Sequence, residues 1–449
     1  MIELETGHEV ELEYGGRAEI TGIIGKGIHD IVYIASYNGS QWALKWYDIE
    51  KLDDPEKMLS NLKENIADGA PNNKFMWPKY MTKKYSDGSF GFLMEMKPES
   101  FEYLSDILKG YKIVNEHETG RANKKNVKFS SLFSMTTAAL NIVNAFRKLH
   151  SAGKTYQYLD DGGFFINADT GAILVGGCDH IVKEGTAKPL VGGMPGYMAP
   201  ELVKGEACPD MKTDRYTLAA SLFKLLFRGD PLEGKKVVND VCLEKEEILR
   251  HYGKDAVFVY DPQDDSNRPV RGIHDSVMKF WETYPDYVKE IFTRAFTEGL
   301  NDPEKRVDES DWQTVLVRLR AETIRCPMCG RTNFAHFFEK ADHKTYKCPN
   351  CREEIPTLEM SHRKWKTPIF KGAKLYECDV YSDSTDFLTV VGEVVENKLR
   401  SGYYGIKNCS DRKWKAKMKD GIFHDIDPGK GFPIWEGLEI DFGEVKAKM

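Results

Sequence analysis

GMPGYMAPELVKGEACPDMKTDRYTLAASLFKLL, residues Gly193 to Leu226, is the stretch on which the reading of the fold turns. A loop runs into Pro195, Gly196 and Tyr197, and Met198-Ala199-Pro200-Glu201 follows. Thirteen residues beyond Glu201, Asp214 opens an amphipathic helix with Leu218, Leu222, Leu225 and Leu226 on one face. Any loop followed by a core helix could be written this way, so the rest of the chain has to decide.

The stretch resembles the end of a protein-kinase activation segment, with its Ala-Pro-Glu motif and the buried helix beyond it. Far downstream, Asp302-Pro-Glu-Lys-Arg306 resembles the late kinase segment whose arginine pairs with that glutamate. The resemblance therefore implies a buried Glu201–Arg306 pair, with Asp214 as a further structural residue. Removing one partner of such a pair costs roughly 3–5 kcal/mol.

Upstream, residues 19–47 read as strand, glycine turn, strand, turn, strand. Gly25-Lys-Gly27-Ile-His-Asp30-Ile-Val32-Tyr33 is similar to the kinase glycine-rich loop, with Asp30 in place of the third glycine. Glycines let a backbone approach phosphates without a Cβ in the way, and a carboxylate there repels them. Trp42-Ala43-Leu44-Lys45 resembles the Val-Ala-Ile-Lys strand. The resemblance implies an ATP site weakened by Asp30, with Gly25, Gly27, Val32 and Ala43 around the nucleotide and Lys45 on its α- and β-phosphates. A helix is expected from about Asp53 to Asp68. In it Glu64 is the first candidate partner for Lys45 and Glu56 the second. Phe90-Gly-Phe-Leu-Met94-Glu95-Met96-Lys97 reads as a strand entering a hinge, and the resemblance implies Met94 at the gatekeeper position with Glu95, Met96 and Lys97 along the adenine edge.

Apolar residues at 132, 135, 139, 142, 146 and 149 form a helical stripe that ends in Leu149-His150-Ser-Ala-Gly153, similar to the end of the kinase E helix. Where the family has His-Arg-Asp and then a metal-binding Asn, this chain has Tyr156-Gln157-Tyr158-Leu159-Asp160-Asp161-Gly162-Gly163. Tyr158 stands at the catalytic-base position and Gly163 at the Asn position. Gly176 or Gly177 stands at the metal-binding Asp position. Phosphoryl transfer depends on positioning and on Mg²⁺ held by that Asp and Asn. A base contributes roughly 10²–10⁴-fold, and metal clamping adds several kcal/mol. The resemblance thus implies a pseudokinase without catalytic residues and without Mg²⁺. The alternative is a divergent Ser/Thr kinase, or a transferase moving AMP, that uses Asp160, Asp161 or Asp179. Gln157 replaces the arginine that would receive an activation-loop phosphate, so no switching at Thr186 is expected.

Residues 228–275 read as a polar, acid-rich insertion. Asp261-Pro262, Asn267-Arg268-Pro269 and Phe296-Thr-Glu-Gly299 resemble a bacterial subgroup of kinase-like proteins. Members of that subgroup occur beside a von Willebrand A-domain protein and a PP2C-type phosphatase in tellurite-resistance-like systems. Protein signalling partners of those two kinds are the implication.

Cys326-Pro-Met-Cys329 and Cys348-Pro-Asn-Cys351 are two C-x-x-C knuckles, a spacing that supplies four thiolates to tetrahedral Zn²⁺. Phe334, Phe337, Phe338 and Tyr346 are the little apolar matter such a ribbon has, so structural zinc would supply most of its stability. His336 and His343 read as ordinary loop residues. His362-Arg-Lys-Trp-Lys366 reads as the solvated basic face of a linker, and no nucleic-acid partner is expected. From about Lys371 the pattern has period two, with hairpin turns such as Asp420-Gly421, which argues for a small β-sandwich. Gly405-Ile-Lys-Asn408 and Glu436-Gly437-Leu-Glu-Ile-Asp-Phe442-Gly443 resemble a forkhead-associated domain. Glu393 stands where that family uses Arg, and no Ser-x-x-His is present. Arg400, Ser401 and Asn408 are the candidate partner contacts.

The 449 residues thus read as a multi-domain α+β chain. Residues 1–322 form a bilobal kinase-like domain, with the small lobe at 1–97 and the large lobe at 98–322. The zinc ribbon takes 323–358, a linker 359–370 and the forkhead-associated-like β-sandwich 371–449. The net charge of −7, with both signs mixed throughout, gives no case for a nucleic-acid or membrane surface. No apolar run reaches about 18 residues, and the N-terminus lacks a charged-then-apolar leader, so a cytoplasmic protein is expected. Nine cysteines, four of them in the two knuckles, fit a reducing compartment with one metal site. The functional expectation is a signalling scaffold or allosteric regulator that acts by binding and leans away from being an enzyme.

Overall fold

Alternating burial along the N-terminal strands builds the first sheet. The computed structural model describes residues 3–115, 122–186, 193–240, 242–341, 345–382 and 384–449. Six antiparallel strands, β1 (Glu9–Glu11), β2 (Arg17–Lys26), β3 (Asp30–Tyr37), β4 (Ser40–Tyr47), β5 (Tyr80–Met81) and β6 (Gly91–Glu95), lie in the order β1-β2-β3-β4-β6-β5. Irregularities in β2 near Gly22 and Gly25 bend the sheet. Its two edges meet through a Leu12–Thr82 bridge, with Lys83 N donating to Glu11 O at 2.8 Å. Val10, Ala18, Ile20, Tyr33, Leu44, Trp46 and Leu93 fill one side of this curled sheet. Helix α1 (Pro55–Asp68) is set by Asp54, which accepts from Lys57 N at 3.0 Å, and by Pro55 in the first turn.

The chain is mixed α+β and divides into two units. The first unit, Met1–Phe129, Asn141–Thr283 and Lys289–Trp312, holds the curled sheet and a mainly helical remainder. Small antiparallel sheets punctuate the helices: Lys154–Tyr156 pairs with Ile181–Lys183, and Phe164–Ile166 pairs with Ile173–Val175. The helix Met211–Phe227 departs from the amphipathic expectation, because it is buried on nearly every side. Phe258, Phe292 and Phe296 all pack on Phe223, with ring centroids 5.5–5.8 Å away. A helix so enclosed needs no polar stripe. Asp210, not Asp214, opens it with a capping box closed by Thr213.

The insertion at 228–275 is folded by two side chains. Asn267 donates to Leu232 O and Val257 O, both at 2.7 Å. Arg268 donates to the carbonyls of Val259, Asp261 and Asp264.

The second unit, Ser130–Leu140, Tyr284–Val288 and Gln313–Met449, is sheet-rich. Seven of its strands follow one path: Glu339–Ala341, Thr345–Lys347, Glu354–Met360, Lys446–Lys448, Glu439–Asp441, Trp414–Lys417 and Phe423–Ile426. A four-stranded sheet orders Lys374–Tyr376, Val390–Glu396, Tyr404–Asn408 and Gly431–Pro433. Ile355, Leu358, Trp414 and Ile440 from the first sheet share one core with Leu375, Val394, Ile406 and Phe432 from the second.

Residues 359–370, read from sequence as a linker, contribute strand Lys366–Pro368, which pairs with Glu354–Met360. Buried Thr367, Ile369 and Phe370 anchor it. The same strand Glu354–Met360 runs from the cysteine region into the C-terminal sheet, pairing Met360 with Ala447. Phe133 and Tyr284, early in sequence, meet Phe370 and Phe334 at centroid distances of 6.0 and 5.2 Å. Among the described residues no helix is long and apolar enough to cross a membrane.

Candidate functional site

Strand β4 turns Lys45 inward, leaving its side chain 11% exposed. A buried ammonium requires an anion. Asp179 Oδ2 accepts from Lys45 Nζ at 2.7 Å and from the Tyr47 hydroxyl at 2.6 Å. Asp30 Oδ2 lies 3.2 Å from the same ammonium, and His180 Nε2 lies 3.4 Å from Asp179 Oδ2. Burial works against the charge on Lys45, but Asp179 and Asp30 outweigh it and raise the lysine's pKa. Burial would likewise raise Asp179, yet the Lys45 charge and the hydrogen bonds from Lys45 and Tyr47 hold its carboxyl well below the usual carboxylate range. Burial pushes the His180 imidazole down, toward its neutral form. Lys45 and Asp179 are therefore the charged pair at the centre.

Glu64 does not join them. It is an exposed side chain 3.5 Å from Lys183, and Glu56 pairs with Lys84 instead. The inner face of α1 carries Met58, Asn61, Leu62 and Asn65. Asn61 Nδ2 donates to the carbonyls of Asp179 and Ile181 at 3.1 and 3.0 Å. Asn65 Nδ2 donates to Ile181 O at 2.7 Å. An Asn–Asn spacing of four on one helix face was the available signal for this contact.

The other residues expected around a nucleotide sit on the same sheet. Val32 is paired with Lys45 and Ala43 with Met94. Gly25, Gly27 and Glu95 are exposed, and Met94 and Met96 are half-buried.

Gly163, Gly176 and Gly177, the glycines that the resemblance sets at metal-binding positions, are enclosed by neighbours. A Cβ on Gly163 would run into the Leu159 side chain. One on Gly176 would stand 2.7 Å from the Phe165 ring. Gly177, at φ +59°, would bring a Cβ within 2.8 Å of the Tyr156 hydroxyl. Longer side chains at these points would have to displace packed groups. Tyr158 packs its ring 5.3 Å from His180.

The acids of the alternative reading are engaged separately. Asp160 accepts from Gly162 N at 2.8 Å, Asp161 accepts from the Tyr197 hydroxyl, and Asp179 holds Lys45. They do not come together as a ligand set: among the described residues only the four cysteines do.

Two structural clamps support the centre. Arg306 donates from both terminal nitrogens to the two carboxylate oxygens of Glu201, each at 2.7 Å. Asp214 Oδ2 accepts from Tyr156 N at 2.9 Å and faces His150 Nε2 at 3.0 Å. His150 Nδ1 is 2.7 Å from Glu309 Oε1. Burial would lower the His150 pKa, but the two carboxylates carry it up to about 9. Sequence reasoning missed His150 and Glu309 as partners, because 159 positions separate them.

Cys326, Cys329, Cys348 and Cys351 bring their sulfurs within 4.8 Å of one another. Cys326 and Cys351 sulfurs are 3.4 Å apart, and Cys329 and Cys348 sulfurs are 3.8 Å apart. A tetrahedron with metal–sulfur bonds of about 2.3 Å has edges of about 3.8 Å, so this donor set is compatible with structural zinc. The Arg331 backbone N–H and the Asn350 side chain bring the Cys329 thiol down to about 6, whereas burial pushes the Cys326 thiol up to about 12. His336 lies outside the cluster, and His343 lies outside the described residues.

Asn408 is not free to meet a partner. It is fully buried, and its Nδ2 donates to Arg412 O and Ile426 O at 2.8 and 3.1 Å. Ser401 donates to Glu396 at 3.1 Å, and Glu396 is held charged, down at about 2, by Lys371, Gly402 N and Ser401. Arg400 lies over the Tyr403 ring. A carboxylate at the Arg400–Ser401 loop, and the burial of Asn408 at the other end of the hairpin, argue against phosphate capture there. No protein-family model matches the chain, and no curated protein matches it either.

Proposed function

We propose that the chain is a protein-kinase-like pseudokinase, a bacterial signalling protein that works by binding as a scaffold or allosteric regulator. The single observation that carries this reading is the packing of the vacated positions. The Leu159 and Phe165 side chains crowd the Cβ that any side chain at Gly163 or Gly176 would bring. Further support comes from the order of elements, a curled antiparallel sheet with one helix followed by a helical remainder. The Glu201–Arg306 clamp fits the same family. Asp30 and Asp179 occupy the Lys45 cation, which would otherwise meet nucleotide phosphates.

In this reading the four cysteines hold a structural Zn²⁺, and the C-terminal sheets form a forkhead-associated-like module that serves an unmodified partner. Von Willebrand A-domain and PP2C-phosphatase proteins are the partner classes to try first.

The test is incubation of the full chain with α- and γ-labelled ATP and Mg²⁺ or Mn²⁺. No label should enter the protein or an added acceptor. Transfer by the wild type that Lys45→Ala abolishes would instead establish a divergent kinase or AMP transferase.

A further inference from the structure

In the second unit, the helix face from Gln313 to Glu322 and the segment His362–Lys366 enclose a cavity of about 780 Å³. That volume suits a small molecule. Its lining includes Arg318, Arg363, Lys364 and Lys366, with one acid, Glu322, which lies 3.4 Å from Arg318 Nε. The acids that pair with Arg363 and Lys366, Asp379 and Glu359, are not part of the lining. Lys364 is exposed and has no ion-pair partner among the described residues.

Two buried donors on the same segment, Trp365 Nε1 and Arg363 Nε, have no acceptor among the described residues. An unpaired buried N–H is costly, and only an acceptor can relieve it. Thr314, Thr345 and Thr357 add hydroxyls to the lining. The cations are also held in place. The Arg318 guanidinium stacks 3.8 Å from the Tyr287 ring, and Arg363 lies 5.2 Å from the Trp365 ring. The donors left over are therefore the Lys364 ammonium and the two unpaired N–H groups, and together they favour a ligand that brings oxyanions.

We propose that this cavity binds a phosphate chain, carried either by a nucleotide or by free polyphosphate. The cavity shares no residue with the Lys45–Asp179 centre, and binding here involves no phosphoryl transfer.

Calorimetric titration of the full chain with tripolyphosphate, and in parallel with ADP, tests the proposal. Wild type should bind at low salt and more weakly as salt rises. Lys364→Glu, at an exposed position that leaves packing alone, should weaken binding roughly tenfold or more. Trp365→Phe keeps the ring, removes the donor, and should weaken it as well. Tighter binding of ADP identifies the carrier as a nucleotide, and equal or tighter binding of tripolyphosphate identifies the free chain. Absence of heat with both ligands at millimolar concentration overturns the proposal. So does wild-type affinity in folded Lys364→Glu and Trp365→Phe proteins, since the anion would then sit elsewhere.

Discussion

Lys45 shows how a single side chain can be legible and its partner hidden. The strand pattern places the lysine, but Asp179 comes from 134 positions away, and only the fold decides that α1 turns asparagines rather than Glu64 toward the centre. Breaking this pair should be costly. Lys45→Met should lower stability by about 3–5 kcal/mol in denaturant titration, because it strands Asp179 in a dry site, and Asp179→Asn should cost less, because Asp30 stays 3.2 Å from the ammonium. Joint replacement by Lys45→Met and Asp179→Leu should recover part of that loss, since Asp30 and the Tyr47 hydroxyl still lose a partner. Single variants as stable as wild type would refute a buried ion pair. His150 makes a second prediction. Its pKa rises from 6.5 free to about 9 folded, so its stabilising effect is complete below pH 6.5 and fades as pH climbs through 9. Wild-type stability should therefore fall across that interval, and His150→Gln should flatten the profile. Parallel profiles for the two proteins would show that the imidazolium is not the cause.

Elements with strong periodicity were readable from sequence, and those held by long-range pairing were not. The apolar stripe at 132–149 is the helix Leu132–Ser151, and Asp420-Gly421 turns a hairpin between Trp414–Lys417 and Phe423–Ile426. The three-residue strand Lys366–Pro368 was hidden in a basic run, because its pairing depends on Glu354–Met360 and its anchors Thr367 and Ile369 carry no period. Since Glu354–Met360 leaves the cysteine cluster and enters the C-terminal sheet, metal and sheet should fold together. Structural zinc supplies on the order of 10 kcal/mol in small peptides. Chelation, or Cys348→Ser, should therefore raise amide exchange along Lys446–Lys448 and Glu439–Asp441 as well as in the knuckles. Exchange confined to residues 326–351 would mean that the ribbon stands alone. The enclosed glycines lead to a different expectation. Gly163→Asn with Gly176→Asp should cost about 1–3 kcal/mol through overpacking and confer no ATP transfer. Gain of transfer would show that the room exists.

At the scale of the whole chain, the sequence suggests boundaries that follow one another, whereas the second unit gathers Ser130–Leu140 and Tyr284–Val288 with Gln313–Met449. Motif order could not reveal this, because nothing local marks Phe133 or Tyr284 as belonging to a core completed by Phe370 and Phe334. A fragment starting at residue 323 should therefore melt well below the same residues in the full chain, as near-ultraviolet circular dichroism of both would reveal. Equal melting would show that those two rings are dispensable. On the ribosome the arrangement imposes a delay. Phe133 emerges 237 residues before Phe370, and at about 5–20 residues per second it waits on the order of tens of seconds for its cover. Through that interval the nascent chain carries a greasy, half-finished surface, which makes it a natural client for chaperones that shelter unfinished polypeptides.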